Sequence, residues 1–276
     1  MSDQENILSI GPFLGDIENE ILNFRPFVYW IKNNINHKCC YVSVYETRKF
    51  LYSDCITDFS INPDMLSDVE SSQFCYINQM VPKKEFESYV KFFKNSILKK
   101  ENIQKKNLKH YNLSYTQSSQ SQSIYEKEFV PFQIEHSHEY YNIVLISDIR
   151  EDISIYYDII EYLNSKNLDF TILGNKNIHF QDKNILKDNF TNYQNIFRII
   201  KSANIVLCPA SFWTVICNQM GKNVFSWGKY VGNFRVDGIY HFNNDLCKTL
   251  SFNSCNQNSK ILINQIDNYL KMLGVR

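Results

Sequence analysis

The 276 residues suffice for one large domain or two of ordinary size, and 44% hydrophobic with 21% charged residues supply a real core, which excludes a disordered or fibrous chain. Lys+Arg and Asp+Glu balance at 29 each, so no global field draws the chain to nucleic acid or to an anionic membrane. The opening residues lack a basic region followed by an apolar core, and no apolar run approaches the ~18 residues of a membrane span, so a cytoplasmic protein without such a span is expected. The eight cysteines show no Cys-x-x-Cys and no repeating spacing; reduced, partly buried thiols and no zinc site are expected.

In chain order, the apolar run Ile7 to Ile10 ends in Gly11-Pro12-Phe13-Leu14-Gly15-Asp16, and Ile17, Ile21, Phe24, Val28 and Ile31 then form a helical stripe. Pro26 falls inside that stripe without an N–H, which predicts a kink or break near Leu22 to Arg25. Tyr41 to Tyr45 and Phe74 to Met80 read as strands, and Phe86, Val90, Phe93 and Ile97 place a helix over Lys84 to Lys99. Periodicity fails from Glu101 to His138, where Gln117 to Ser123 is a polar low-complexity tract, and an inter-domain linker is expected there. Beyond it come a strand at Tyr141 to Ile146, a helix with Ile155, Ile159 and Tyr162, and a strand at Phe170 to Leu173. A helix follows with Tyr193, Ile196, Ile200 and Ala203, then a strand at Ile205 to Cys208 and a helix from Phe212 to Met220 closed by Gly221. A strand at Val224 to Trp227 and a last helix with Ile263, Ile266, Leu270 and Leu273 complete the chain.

This alternation predicts an α/β protein of two Rossmann-like domains with parallel sheets facing a central cleft. The boundaries expected are 1–100, a linker at 101–138, and 139–276 with the last helix free to cross back. In such folds ligands collect beyond the carboxyl ends of the strands, so those positions carry the chemistry. At the first, Gly11 and Gly15 allow close backbone approach, while Asp16 and Glu20 stand four apart on one helix face. Two readings stand: a carboxylate there takes a proton from an acceptor hydroxyl, or acidic residues simply complement the helix dipole. At Cys208-Pro209-Ala210-Ser211-Phe212-Trp213, the N–H groups of Ser211 and Phe212 and the Ser211 hydroxyl suit a diphosphate, although Ser is also a common helix cap. Ser147, Arg150, Lys176 and Lys229 follow the other strands, and the cations among them suit diphosphate charge or are merely solvated.

There is no Gly-x-Gly-x-x-Gly, no Gly-Lys-Ser/Thr phosphate loop, no Gly-x-Ser-x-Gly and no His-Glu-x-x-His, which argues against dehydrogenase, P-loop kinase, serine hydrolase and zincin chemistry. His136-Ser137-His138-Glu139 lacks a third ligand, and the basic run Lys99 to His110 reads as a solvated loop.

The segment Ile10-Gly11-Pro12-Phe13-Leu14-Gly15-Asp16-Ile17-Glu18-Asn19-Glu20-Ile21 resembles the opening of GT-B glycosyltransferases, the heptosyltransferase-like group in particular. It also resembles the Gly-Pro-aromatic-x-Gly-Asp/Glu opening of bacterial and viral glycosyltransferase-like proteins. Ala203 to Ser211, continuing through Met220-Gly221-Lys222-Asn223-Val224, is similar to the donor side of that group. It departs from the group's Asp-Ser-Gly and following His, having Pro209-Ala210-Ser211-Phe212-Trp213 instead. The resemblance implies a metal-independent glycosyltransferase without a cofactor, using a nucleotide-sugar as substrate. Asp16 is then the base, with Glu20 in reserve, and Ser211 with its neighbours holds the donor phosphates. The acceptor would be a hydroxyl of a glycan, a lipid-linked sugar or a modified nucleobase, nucleic acid entering only as carrier of such a base. A non-catalytic descendant of the fold, binding a glycan or protein partner through aromatic surface, is the competing expectation. The oligomeric state is left open.

Overall fold

The structure, a computed structural model, describes residues 6–15, 17, 20–57, 83–112, 134–135, 137–147, 153–173, 185–186, 193–209, 212–228, 247–251 and 258–275. The chain divides into two compact units, Met1–Gln133 and Ile134–Arg276.

In the first unit, strands β1 (Ile7–Ile10), β2 (Cys39–Val42) and β3 (Leu108–Tyr111) form a parallel sheet in the order β2-β1-β3. Every residue of β1 is buried, as expected of a strand paired on both sides and covered on both faces. Helix α1 (Arg25–Asn34) is preceded by a π-helical turn over Glu20–Phe24. The break falls where Pro26, lacking an N–H, cannot donate to the Leu22 carbonyl. Helix α2 (Lys83–Glu101) lays Phe93 and Ile97 on Ile7 and Tyr41, and Phe86 on Leu14 and Tyr45. The strand expected at Phe74 to Met80 lies outside the described residues.

The segment expected to be a linker from residue 101 needs correcting. It contains β3, which pairs in register with β1, Ile7 beside Leu108 and Ile10 beside Tyr111. The first unit therefore continues past residue 100. Four residues containing Lys109 and His110 carry too little apolar signal to read as a strand, and pairing with β1 supplies what local pattern lacks.

In the second unit, β4 (Tyr141–Ile146), β5 (Phe170–Leu173), β6 (Ile185–Leu186), β7 (Ala203–Pro209), β8 (Asn223–Gly228) and β9 (Cys247–Ser251) form one parallel sheet. The order is β6-β5-β4-β7-β8-β9, equivalent to the 3-2-1-4-5-6 order of dinucleotide-binding sheets. Helices α3 (Ile153–Ser165) and α6 (Ser259–Met272) share one core with the sheet. Ile155, Tyr156, Ile159 and Leu163 of α3 and Leu262, Ile266 and Leu270 of α6 pack with Ile143, Leu145, Phe225 and Trp227. Burying side chains of this kind is worth about 1.5–3 kcal/mol each. Helices α4 (Tyr193–Ser202) and α5 (Phe212–Gln219) contact β4 and β7, and β7 and β8, respectively. The last helix thus packs in the core of its own unit, tied further by the Tyr162 hydroxyl donating to Asp267 at 2.8 Å. No described helix is long and apolar enough to cross a membrane.

Candidate functional site

The loop leaving β1 is buried from Gly11 to Gly15, so its main chain must find partners inside the protein. The Gly11 N–H donates to the Tyr111 carbonyl at the end of β3 (2.9 Å), and the Phe13 N–H to the Ser43 carbonyl (3.0 Å). Gly11 has φ of +102°, and a Cβ there would lie 2.7 Å from the Ser43 oxygen, so only glycine fits. Phe13 stacks on Phe24 with ring centroids 4.8 Å apart, which ties the loop to the π-helical turn.

The end of the loop is held by the segment after β2. The Tyr45 hydroxyl donates to the Leu14 carbonyl at 3.0 Å, and Arg48 Nη1 donates to the Gly15 carbonyl at 2.7 Å. The same Arg48 nitrogen meets Glu20 Oε2 at 2.8 Å, and the Tyr52 hydroxyl donates to Glu20 Oε1 at 3.1 Å. Glu20 is fully buried and Arg48 is 14% exposed in its side chain. A carboxylate taken out of water needs a charge partner, and here it receives one, plus a hydroxyl on its other oxygen. The guanidinium also lies 4.5 Å over the Tyr45 ring. Burial first, opposed by Arg48, pushes the Tyr45 phenol up to about 12. Burial and then the Glu20 charge hold the Tyr52 phenol well above its usual range, so both tyrosines stay neutral donors.

Glu20 is therefore brought to Gly15 through Arg48. Asp16 lies outside the described residues. The sequence did not single out Tyr45, Arg48 or Tyr52. A cluster of hydroxyl and guanidinium donors just past a strand, on the side of the sheet where a glycine loop leaves its neighbour, was the available signal.

At the second unit's switch point, Ser147 follows β4 directly and is fully buried; its N–H and its hydroxyl both donate to the Leu173 carbonyl, at 3.0 and 3.2 Å. The hydroxyl is thus turned onto the end of β5. Strand β7 ends at Pro209, and α5 opens at Phe212. Thr214 Oγ1 donates to the Pro209 carbonyl (3.3 Å) and lies 3.7 Å from Cys208 Sγ, which fixes the turn. The Phe212 side chain, and Arg150, Lys176, Ser211 and Lys229, lie outside the described residues. Among the described residues no group of three or more His, Cys, Asp or Glu is arranged to hold a metal ion.

No family model and no curated protein matches the sequence. Solved structures match it in fold. A glycosyl transferase family 9 structure from Veillonella parvula DSM 2008 has a TM-score of 0.58 at 8% identity, covering 98% of this chain and 97% of that one. The E. coli ADP-heptose LPS heptosyltransferase II gives 0.57 at 10% identity over 98% and 99%. The E. coli heptosyltransferase WaaC with ADP gives 0.56 at 8% identity over 96% and 99%. At such identities the likeness is one of fold: this chain has the α/β, two-Rossmann GT-B fold with parallel sheets.

Proposed function

We propose that this chain is a metal-independent glycosyltransferase that moves a sugar from a nucleotide-sugar donor to the hydroxyl of a glycan, a lipid-linked sugar or a modified nucleobase. The observation that carries the reading is a GT-B fold matched along the whole chain by heptosyltransferases, one of them bound to ADP and, in another structure, to ADP-2-deoxy-2-fluoro heptose. The donor belongs to the C-terminal unit, where β4 and β7 are neighbours in the sheet but far apart in sequence, the place at which such sheets receive nucleotides. In this reading Phe212 and Ser211 offer N–H groups and a hydroxyl to the diphosphate, and Ser147 belongs to the same donor-binding set. Arg150, Lys176 and Lys229 meet the diphosphate charge in place of a metal ion.

The acceptor belongs to the N-terminal unit. Asp16 takes the hydroxyl proton as the acceptor oxygen attacks the anomeric carbon and the nucleoside diphosphate departs. Support comes from the braced loop: the carbonyls of Leu14 and Gly15, the two residues before Asp16, are each held by a side chain. Glu20 serves in that brace, as the partner of Arg48 and Tyr52, and not as a second base.

A thermal-shift screen with ADP, UDP, GDP and their sugars tests the donor, since a ligand at ~100 times its Kd adds ~2.7 kcal/mol to the folded state. Stabilisation by none of them would favour a non-catalytic binding protein. Once a donor is found, Asp16→Asn should keep donor binding and lose transfer by roughly 10²–10⁴-fold. Transfer at the wild-type rate in that variant removes Asp16 from the mechanism.

A further inference from the structure

Beside the loop brace, a second pair of reactive groups meets at the edge of β2. Ile56 forms a parallel bridge with Tyr41: its N–H donates to the Cys40 carbonyl at 2.9 Å, and its carbonyl accepts from the Val42 N–H at 3.0 Å. Parallel neighbours stand about 4.8 Å apart with residues in register on the same face, so Cys40 and Cys55, each one residue before the bridge, lie side by side. That spacing falls within the roughly 4.4–6.8 Å between Cα atoms that a disulfide spans. Cys55 lies beside Cys40, and its sulfur also lies 3.9 Å from Asp54 Oδ1. Both are free thiols, Cys40 buried and Cys55 half-buried. Cys39 projects to the opposite face, against the cluster of Ile7, Tyr41, Phe93 and Ile97. The charged groups beside the pair are Lys32 and Asp54, which are bound to one another.

We propose that Cys40 and Cys55 form a reversible oxidation site that closes to an intramolecular disulfide on reaction with a low-molecular-weight disulfide of the glutathione type. Cys55, the more accessible thiol, attacks as thiolate on one sulfur of the oxidant, forming a mixed disulfide and expelling one thiolate. The Cys40 sulfur then attacks the Cys55 sulfur, forming the Cys40–Cys55 bond and expelling the second thiolate, and the two protein protons end on the two small thiols. The protein loses two electrons, and the oxidant is reduced to two thiols. Excess small thiol reverses both steps.

The position of this pair gives the bond a consequence. Tyr45, Arg48 and Tyr52 all lie between Cys40 and Cys55 in the chain, so the disulfide closes a covalent loop around these three side chains that hold Leu14, Gly15 and Glu20. Closing such a loop restricts the unfolded chain and stabilises the segment.

The test uses the full chain incubated with oxidised glutathione, alkylated and mapped by fragmentation mass spectrometry without reduction. The expected product is a Cys40–Cys55 crosslink, lighter than the dithiol by two hydrogens and removed by dithiothreitol, with a melting temperature above that of the reduced protein. Cys39→Ser should behave as wild type, and Cys55→Ser should lose both the crosslink and the redox-dependent shift in melting. Cys55→Ser carries the test because the half-buried site tolerates it, whereas a change at Cys40 perturbs the core. A crosslink of Cys55 to any other cysteine, a glutathione adduct on Cys55 that never closes, or no reaction of the native chain would each overturn the proposal. A crosslink that lowered the melting temperature would overturn its bracing role.

Discussion

The two sheets solve the same problem with different materials. Around β4, β5, β7 and β8 the C-terminal core shared with α3 and α6 is built of aliphatic and aromatic side chains, and the polar groups buried elsewhere in that unit, among them Thr214, Asn218, Gln219 and Ser226, are uncharged. Around β1 the N-terminal unit buries Glu20, Arg25, Ser9 and Ser43 among its apolar groups, and its exit loop hangs on Arg48 and two tyrosines. Apolar packing is non-directional and absorbs small changes of shape, whereas a buried charge pair holds only while both members are present. The loop that the proposed chemistry depends on is thus positioned by the less forgiving of the two.

The sharpest way to break this contrast is Arg48→Met, which leaves the Glu20 carboxylate buried without its cation. It should lower stability by about 3–5 kcal/mol in urea unfolding, and Arg48→Met combined with Glu20→Gln should recover part of that loss. A double variant no better than the single one would mean that Arg48 acts through packing on Tyr45 instead.

Next in size is a pH effect at His110, whose Nδ1 lies 2.9 Å from the Ser9 hydroxyl and whose buried Nε2 has no hydrogen-bond partner among the described residues. Burial first, and then the nearby Lys94, depress its pKa to about 4, against 6.5 in the unfolded chain. The folded state therefore binds fewer protons than the unfolded state between these values. His110's contribution is complete above pH 6.5 and is lost as the pH falls toward 4, by roughly 2–4 kcal/mol in all. Because carboxylates titrate in part of the same window, the comparison is between wild type and His110→Gln, whose stability should fall less steeply from pH 6.5 to 4. Parallel curves would show that the imidazole titrates normally.

Gly11→Ala should cost roughly 1–3 kcal/mol, since the positive φ and the approach to Ser43 both resist a Cβ. Its circular dichroism should stay native while the melting temperature drops. The smallest effect is expected from the other side of the comparison. Ile266→Val, in the C-terminal core, should cost about 0.5–1.5 kcal/mol, as neighbours relax around the missing methyl group. A larger loss there than for Arg48→Met would invert the contrast.

The same division decides what was legible in the sequence. Ile143 to Ile146 and Ile205 to Cys208 are apolar runs and Val224 to Trp227 is apolar but for Ser226, because strands buried on both faces need little else, and their positions read directly. The Ile7 to Ile10 run with its glycine loop was legible for the same reason, as was the break imposed by Pro26. Strand β3 was not, because Lys109 and His110 give it no pattern of its own. Nor were β6 and β9, which flank the C-terminal sheet. The brace was hidden for another reason: Arg48 and Tyr52 reach Glu20 across 28 and 32 residues, and no local periodicity reports such a meeting. The spacing of Asp16 and Glu20 suggested a shared helix face, but a π-helical turn begins at Glu20 and its carboxylate is directed to Arg48.

The placement of β1 between β2 and β3 also sets a timetable for synthesis. Ser9 of β1 meets His110 of β3, 101 residues later in the chain. At ~5–20 residues per second on the ribosome, β1 waits roughly 5–20 s for that neighbour. During the wait one side of an almost wholly apolar strand offers unpaired N–H and C=O groups to any passing chain. Expression yield should therefore respond to chaperone supply and to the speed of translation between residues 42 and 108, independently of how stable the finished protein is.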